Sequence, residues 1–393
     1  MYIECWRNKL GKNILYVTNY YLEDVIAQRH SGPYISQAGQ NKGQYMIDMF
    51  EYGGNNVTVW SNAWTNSHSL RFYKGFQSKI NPKVYYSDIV GAPLLNALVC
   101  YWSSKKFLRK LVKNKQIDAI VFYNMRLENS KLALYAKKKL DIPIILQYED
   151  GLTTDAHISP IKRRIFGKME KSVLQSLDGA FLVNSKLNVP CPSVVIRGAI
   201  REKKNHDKTY VRNEIPQLLF ASTLDKQRGV SVLLEALKHI QDELILKISG
   251  RGDAESEIKK CADDRVQFLG YLTYEQYQEQ LEHADICINA QLAHHEFGNF
   301  SFPSKIFEYM SAGKVVVSSD VADAEDALGD TLIIYHEDNP LKLANALKEA
   351  IKVCKDEKLW MQYQTRMRRV IEENSIDNVA KRVNTLLDNI VKG

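Results

Sequence analysis

The chain has 393 residues, 45% of them apolar and 25% charged, and a net charge of +7. That balance is globular and excludes a disordered or fibrous chain; the length exceeds one usual core, so two domains of roughly 150–200 residues each are expected. No run of about 18 apolar residues occurs, so no membrane-spanning helix is expected, and the N-terminal MYIECWRNKLGKNILYV lacks the apolar core and cleavage site of a secretory signal and reads as mature sequence.

In chain order, short runs rich in Val, Ile, Leu, Phe and Tyr predict strands at Asn13–Asn19, Val57–Ser61, Val84–Ser87, Ala119–Tyr123, Pro143–Tyr148, Ala180–Asn184 and Ser193–Arg197. The second half offers Leu218–Ser222, Ile245–Ser249, Val266–Leu269, Ile286–Asn289, Val315–Ser319 and Thr331–Tyr335. Amphipathic stretches lie between most of them, among them Val230–Gln241 and Pro303–Ala312. Strand–helix alternation predicts right-handed parallel units, hence an α/β fold of two doubly wound sheets. Arg201–Pro216 is polar, charged and closed by proline, which marks an interdomain linker. Pro340–Gly393 reads as consecutive helices. Ligands of such sheets sit at the carboxyl ends of the strands, where helix N-termini point free amides.

Charge is divided unevenly. Residues 1–200 carry 27 Lys and Arg against 14 Asp and Glu, net +13, and the remainder 26 against 32, net −6. The basic half suits an anionic membrane surface or a phosphorylated acceptor, and solvated lysine faces explain it as well. Two basic stretches fit either reading. Trp102–Gln116 spaces Phe107, Leu108, Leu111 and Val112 along one helical face, and Ile161–Leu174 is similar. Each could lie on an anionic bilayer or pack that face on a sheet. Nucleic acid fits less well, because no recognised motif or aromatic-rich basic platform appears. The six cysteines are scattered without a CxxC pair, as idle thiols in a reducing cytoplasm would be, and no zinc site is expected.

The strongest chemical signal is Ser301–Gly313, SFPSKIFEYMSAG, which leads into KVVVSS. Asn299, Phe302 and Pro303 lie in a turn, and Ser304 and Lys305 open a helix whose free amides suit a phosphate. Glu308, one turn on, cannot help phosphate but suits a ribose diol, whose two hydroxyls it can accept. This run is similar to the donor-site signature of retaining GT-B glycosyltransferases of family 4, the glycosyl transferases group 1. Leu218–Leu237 resembles that family's first strand, diphosphate loop and helix; Lys247–Asp253 (KISGRGD) its second glycine turn; Phe268–Leu272 (FLGYL) the strand end that meets the base; and His283–Ala290 the following strand. Four motifs in order make the resemblance specific.

The resemblance implies two Rossmann-like domains facing across a cleft: an acceptor-binding domain over 1–200, a nucleotide-sugar-binding domain over 201–374, and a final helix over 375–393 packing back on the first. It implies donor contacts from Ser222, Lys226, Arg228, Gly250 and Arg251, with Ser222 and Arg228 standing where the family usually has a diphosphate-gripping Arg and Lys; Ser222 does not replace the arginine, and Lys226 is the candidate to compensate. Guanidinium binds phosphate bidentately, so Arg228 is a fair replacement. Tyr271 falls at the base. Phe300 stands where the family often has the first of two glutamates, with Glu296 four residues earlier. Ser36–Gln44 resembles the glycine-bearing loop over the donor phosphates, where Gly39 and Gly43 permit close approach. Glu149 and Asp150 end a buried strand as candidates to orient or deprotonate an acceptor hydroxyl, with His157 a further candidate. His294, His295 and Glu296 do not match a metal spacing, and His295 is retained as a donor-sugar contact.

The function expected is retaining, metal-independent sugar transfer from a nucleotide-diphosphate sugar, UDP before GDP, to a glycan or lipid-linked acceptor. No cofactor is expected beyond this co-substrate, and the setting is cytoplasmic, with the inner membrane face as a candidate location. Catalytic roles fall to Glu149, Asp150, Arg228 and Lys305. The rivals are a catalytically degenerate nucleotide-sugar-binding subunit and an epimerase or hydrolase on the same fold.

Overall fold

The computed structural model describes residues 11–29, 37–65, 70–152, 159–200, 213–293 and 302–391. The chain divides into two compact units: unit 1 holds 1–183, 187–196 and 376–393, and unit 2 holds 184–186 and 197–375. Most of the proposed linker, residues 201–212, lies outside the described residues.

Unit 1 contains β1 (Asn13–Thr18), α1 (Glu23–Gln28), α2 (Gln37–Tyr52), β2 (Asn56–Ser61), β3 (Phe72–Tyr73), β4 (Val84–Tyr86), β5 (Ile89–Val90), α3 (Pro93–Lys113), β6 (Ala119–Tyr123), α4 (Leu127–Leu140), β7 (Ile144–Tyr148), α5 (Pro160–Leu174), β8 (Gly179–Leu182) and β9 (Ser193–Val195). Its parallel sheet runs β4-β2-β1-β6-β7-β8-β9, so strand order reverses between β1 and β6. The small antiparallel pair β3 and β5 has no counterpart in the sequence reading; strands of two residues are too short to show a period. Contacts of α4 with α3 and α5 place these three helices in one layer. Leu108, Leu111, Leu132, Ala133 and Val173 bury there against Ile120, Phe122 and Leu146 of the sheet. The strands are rich in β-branched and aliphatic residues because both faces are covered.

Unit 2 contains β10 (Gln217–Ala221), α6 (Val230–Leu237), β11 (Ile245–Ser249), α7 (Glu255–Lys259), β12 (Val266–Gly270), α8 (Tyr274–His283), β13 (Ile286–Asn289), α9 (Lys305–Ser311), β14 (Val315–Ser319), α10 (Ala324–Leu328), β15 (Ile333–Tyr335), α11 (Pro340–Lys355) and α12 (Glu357–Glu373). The sheet order is β12-β11-β10-β13-β14-β15, again all parallel, with the reversal between β10 and β13. The chain then re-enters unit 1 as α13 (Ile376–Val391), which packs on α2. Asn384 fixes that contact: its Oδ1 accepts from Asn55 Nδ2 at 2.7 Å and its Nδ2 donates to the Met49 carbonyl at 2.7 Å.

Each first strand is anchored by an aspartate from the loop entering a neighbouring strand. Asp118 accepts from the Asn13 amide at 2.6 Å in unit 1, and Asp285 from the Gln217 amide at 2.7 Å in unit 2. A charge-assisted bond to an otherwise unpaired strand-end amide fixes register where the ladder begins.

One local expectation needs correction, and one choice left open by the sequence is decided. Ser36–Gln44 is not a loop over its described part: from Gln37 onward it is the first turns of α2, so Gly39 and Gly43 are helical. Gly43 serves close packing, since a Cβ there would lie 3.1 Å from the Tyr20 ring. The apolar face of Trp102–Gln116 packs on the sheet, with Leu108 fully buried and Phe107 stacked on Trp60 at 4.6 Å, so that face is not available to a bilayer. The outward stripe of α3 is instead Leu95, Leu98, Trp102, Lys106 and Arg109.

Candidate active site

The site of unit 2 is assembled at the carboxyl ends of β10, β11 and β13. After β10, Asp225 caps a single 3₁₀ turn, Lys226–Arg228, by accepting from the Gln227 amide at 3.0 Å. Gly229 then turns left-handed at φ 74° into α6. A Cβ at Gly229 would lie 1.9 Å from the Ala290 carbonyl, which makes glycine obligatory where this loop crosses the end of β13. Gly250 answers from the loop after β11: its φ is 144°, and a Cβ would lie 1.9 Å from the Ser222 carbonyl. Backbone bonds from Ser222 to Ser249 (3.1 Å) and from Leu224 to Arg251 (2.9 Å) lock the two loops side by side.

Arg228 reaches across the reversal point, where its Nη1 donates to Gln291 Oε1 at 2.7 Å; Asp225 stands 3.8 Å from its Nε. Lys305 opens α9 and directs Nζ at the end of β10, donating to the Ala221 carbonyl at 2.6 Å, with the Tyr277 ring centroid 5.1 Å away. Although the residue's stem is exposed, desolvation of its ammonium holds the pKa below the usual lysine range, Glu308 opposing the shift and Arg228 adding to it. Glu308, one turn on and half-buried, accepts from Tyr277 Oη at 3.0 Å and Gln278 Nε2 at 2.8 Å. Burial pushes the Tyr277 phenol far up, so it stays a donor to that carboxylate. A carboxylate has about four lone-pair sites, so two remain for a diol.

Ser222, Gly250, Arg228, Lys305 and Glu308 are therefore brought to one sheet edge. Other sequence candidates are placed differently. Lys226 and Ser304 are exposed, and Ser304 makes no side-chain cap. Arg251 stacks over Tyr271 at 3.9 Å, and Tyr271 is exposed. Pro303 is half-buried; Phe302 is buried and stacks on Phe307 at 5.5 Å, so its side chain serves packing. His157, His294, His295, Glu296, Asn299, Phe300 and Ser301 lie outside the described residues.

In unit 1, Glu149 and Asp150 follow β7. Glu149 accepts from Lys42 Nζ of α2 at 2.7 Å and Tyr123 Oη at 3.0 Å. Asn124, left-handed at φ 54°, donates to Asp150 at 3.0 Å and accepts from the amides of residues 149 and 150. Burial, then the adjacent Glu149, raises the Asp150 pKa, opposed by Lys42 and Arg126. Sequence reasoning missed Lys42, Tyr123, Tyr277, Gln278 and Gln291. No local pattern marks them; only the left-handed Asn124 carried a signal, as an Asn closing a strand.

Two parallel-sheet units with these strand orders define the GT-B fold. Its likeness extends over nearly the whole chain to a sucrose-phosphate synthase from Thermosynechococcus elongatus (TM-score 0.68, 13% identity, 96% of this chain and 98% of that one). A glycosyltransferase from Rickettsia africae gives 0.64 at 16% identity over 98% and 100%, and HepE from Anabaena, solved with UDP, 0.65 at 13% over 96% and 100%. At such identities the likeness is one of fold. Residues 215–352, the greater part of unit 2, match the family model glycosyl transferases group 1, so this unit is a glycosyl transferases group 1 domain. No curated protein sequence matches the chain.

Proposed function

We propose that the chain is a retaining, metal-independent glycosyltransferase. It moves a sugar from a nucleoside-diphosphate sugar, UDP favoured and GDP next, to a glycan or lipid-linked acceptor in cell-surface polysaccharide or glycoconjugate synthesis. The observation that carries this reading is the gathering of Arg228, Lys305 and Glu308 around the β10/β13 reversal of a group 1 domain. Doubly wound sheets bind ligands at that point. Arg228, Lys305 and the amides opening α6 stabilise charge as the diphosphate departs, which is where a transferase needs it. Glu308 takes the ribose diol with the acceptor sites that Tyr277 and Gln278 leave free. No resident cofactor takes part.

Unit 1 takes the acceptor, with Glu149 or Asp150 orienting its hydroxyl. Since Lys42 and Tyr123 hold Glu149 and burial raises the Asp150 pKa, Asp150 is the better base. The inner membrane face is the setting. It is supported by the outward Leu95, Leu98 and Trp102 of α3 beside Lys106 and Arg109, and by Ile161 and Ile165 exposed on the basic α5.

Turnover of UDP-sugars with Arg228→Ala and Glu308→Ala tests the site; wild-type rates in both would refute it. Proton NMR of the product's anomeric centre tests retention. Undiminished turnover in EDTA is expected if the two cations suffice. Recruitment to anionic vesicles, weakened by Trp102→Ser and by salt, tests the membrane setting.

A further inference from the structure

Where α3 and α4 lie side by side, a lysine is held among aromatic rings. The Lys105 ammonium sits 4.3 Å from the ring centroid of Tyr135 on α4, and 4.8 and 5.5 Å from those of its α3 neighbours Trp102 and Tyr101. Arg109, one turn along α3, shares the Tyr135 ring: its guanidinium carbon lies 5.6 Å from the centroid, and its Nε donates to the Tyr135 hydroxyl at 2.8 Å. Tyr135 is half-buried against the core of unit 1, so it is a fixed post for both cations.

The charges so held are unanswered. α3 has no acidic residue, and α4 has only Glu128, which is buried. Among the described residues neither Lys105 nor Arg109 has an ion pair, and the Tyr135 hydroxyl is the one acceptor either of them meets. The ammonium therefore keeps three donors free, and the guanidinium its two terminal nitrogens. A surface lysine or arginine usually loses side-chain freedom when it binds; here the rings have already restricted it. Two like charges fixed on one ring repel each other unless an anion lies between them.

A guanidinium fork matches two oxygens of a phosphate, and an ammonium can take a third. The outward stripe of α3 says where that phosphate comes from. Leu95, Leu98 and Trp102 precede Arg109 along it, all exposed, and Trp102 and Arg109 are about 10 Å apart along the helix axis. A soluble phosphate or an acidic glycan has no use for exposed leucines. A bilayer takes leucines and indole below its headgroups and offers phosphates above them. A zwitterionic headgroup would bring its own ammonium beside Lys106 and Lys110, so the lipid is anionic. We infer that Lys105 and Arg109, held by Tyr135, clamp the phosphate of an anionic lipid headgroup. This rests on the membrane setting proposed above and deepens it, from diffuse attraction to a defined headgroup site.

The test is co-sedimentation of the full chain with phosphatidylcholine vesicles, with and without phosphatidylglycerol, and calorimetric titration with glycerol 1-phosphate and with heparin as the soluble arms. The wild type is expected on the phosphatidylglycerol vesicles. Arg109→Lys keeps the charge and loses the fork; Tyr135→Leu keeps every charge and removes the post. Each should weaken vesicle binding about tenfold, one charge-assisted hydrogen bond, whereas diffuse attraction counts charges only and would leave both unchanged. An unaltered unfolding transition by circular dichroism shows that a variant has folded, and Arg109→Lys, at an exposed position, decides the matter should Tyr135→Leu fail to fold. Vesicle binding indifferent to either folded variant would overturn the clamp and leave the membrane setting standing. Glycerol 1-phosphate or heparin binding that obeys the variants while vesicle binding ignores them would overturn the lipid as its ligand. A wild type that ignores anionic vesicles altogether would strike the membrane setting and the clamp together.

Discussion

Glu128→Gln should make unit 1 more stable above neutral pH and leave it little changed near pH 5. Glu128 is 2% exposed, and burial lifts its carboxyl from 4.5 to about 7, only partly opposed by a backbone bond and by Arg126. Between those values the native state keeps a proton that the unfolded chain has released, so stability falls as pH rises through the window. The loss is complete above about pH 7, and a shift of this size corresponds to on the order of 3 kcal/mol. Glutamine keeps the acceptor that faces Asn62 and never ionises, so the variant-minus-wild-type difference isolates this group from every other titration. Urea unfolding followed by tryptophan fluorescence is the assay: Trp60, Trp64 and Trp102 report unit 1, against Trp360 alone among the described tryptophans of unit 2. A difference that is flat between pH 5 and 8, or that grows toward acid, would refute the reasoning.

Gly250→Ala places a Cβ 1.9 Å from the Ser222 carbonyl in a backbone conformation alanine rarely adopts; a loss of at least about 2 kcal/mol is expected by calorimetry, with weaker UDP binding. Glu308→Ala and Lys305→Ala should separate the two halves of the donor. The first should weaken UDP by roughly 10–100-fold while leaving inorganic pyrophosphate unchanged, and the second should weaken both, by calorimetric titration. Asp323 is buried, and one of its oxygens accepts from the amide and hydroxyl of Ser185 (both 2.7 Å) and from Arg197 (2.5 Å). Asp323→Ala should cost about 3 kcal/mol by leaving Arg197 unpaired. Burial alone would raise the Asp323 pKa, but Arg197 and Ser185 outweigh it and hold it low, so its contribution is full above the ordinary pKa of about 4 and fades as pH falls below that.

Secondary structure was legible wherever one short segment carries its own signal. Ala119–Tyr123, Ile245–Ser249 and Val315–Ser319 form strands between the ends that the sequence marks, because a strand covered on both faces is apolar over most of its length. The strand, loop and helix of Leu218–Leu237 were legible as one motif, and Lys305 and Glu308 share a helix face by spacing alone. Tertiary structure decided what each polar group meets. Lys42 and Glu149 are 107 positions apart, and Tyr277 and Glu308 are 31 apart; the first pair forms because the fold brings α2 to the end of β7, and the second because it brings α8 to α9. The same holds for α3, whose pattern allowed its apolar face to turn to a sheet or to a bilayer until Trp60 and Tyr85 supplied the surface on which Phe107 packs. Periodicity is a property of one segment, whereas pairing is a property of the topology that brings segments together.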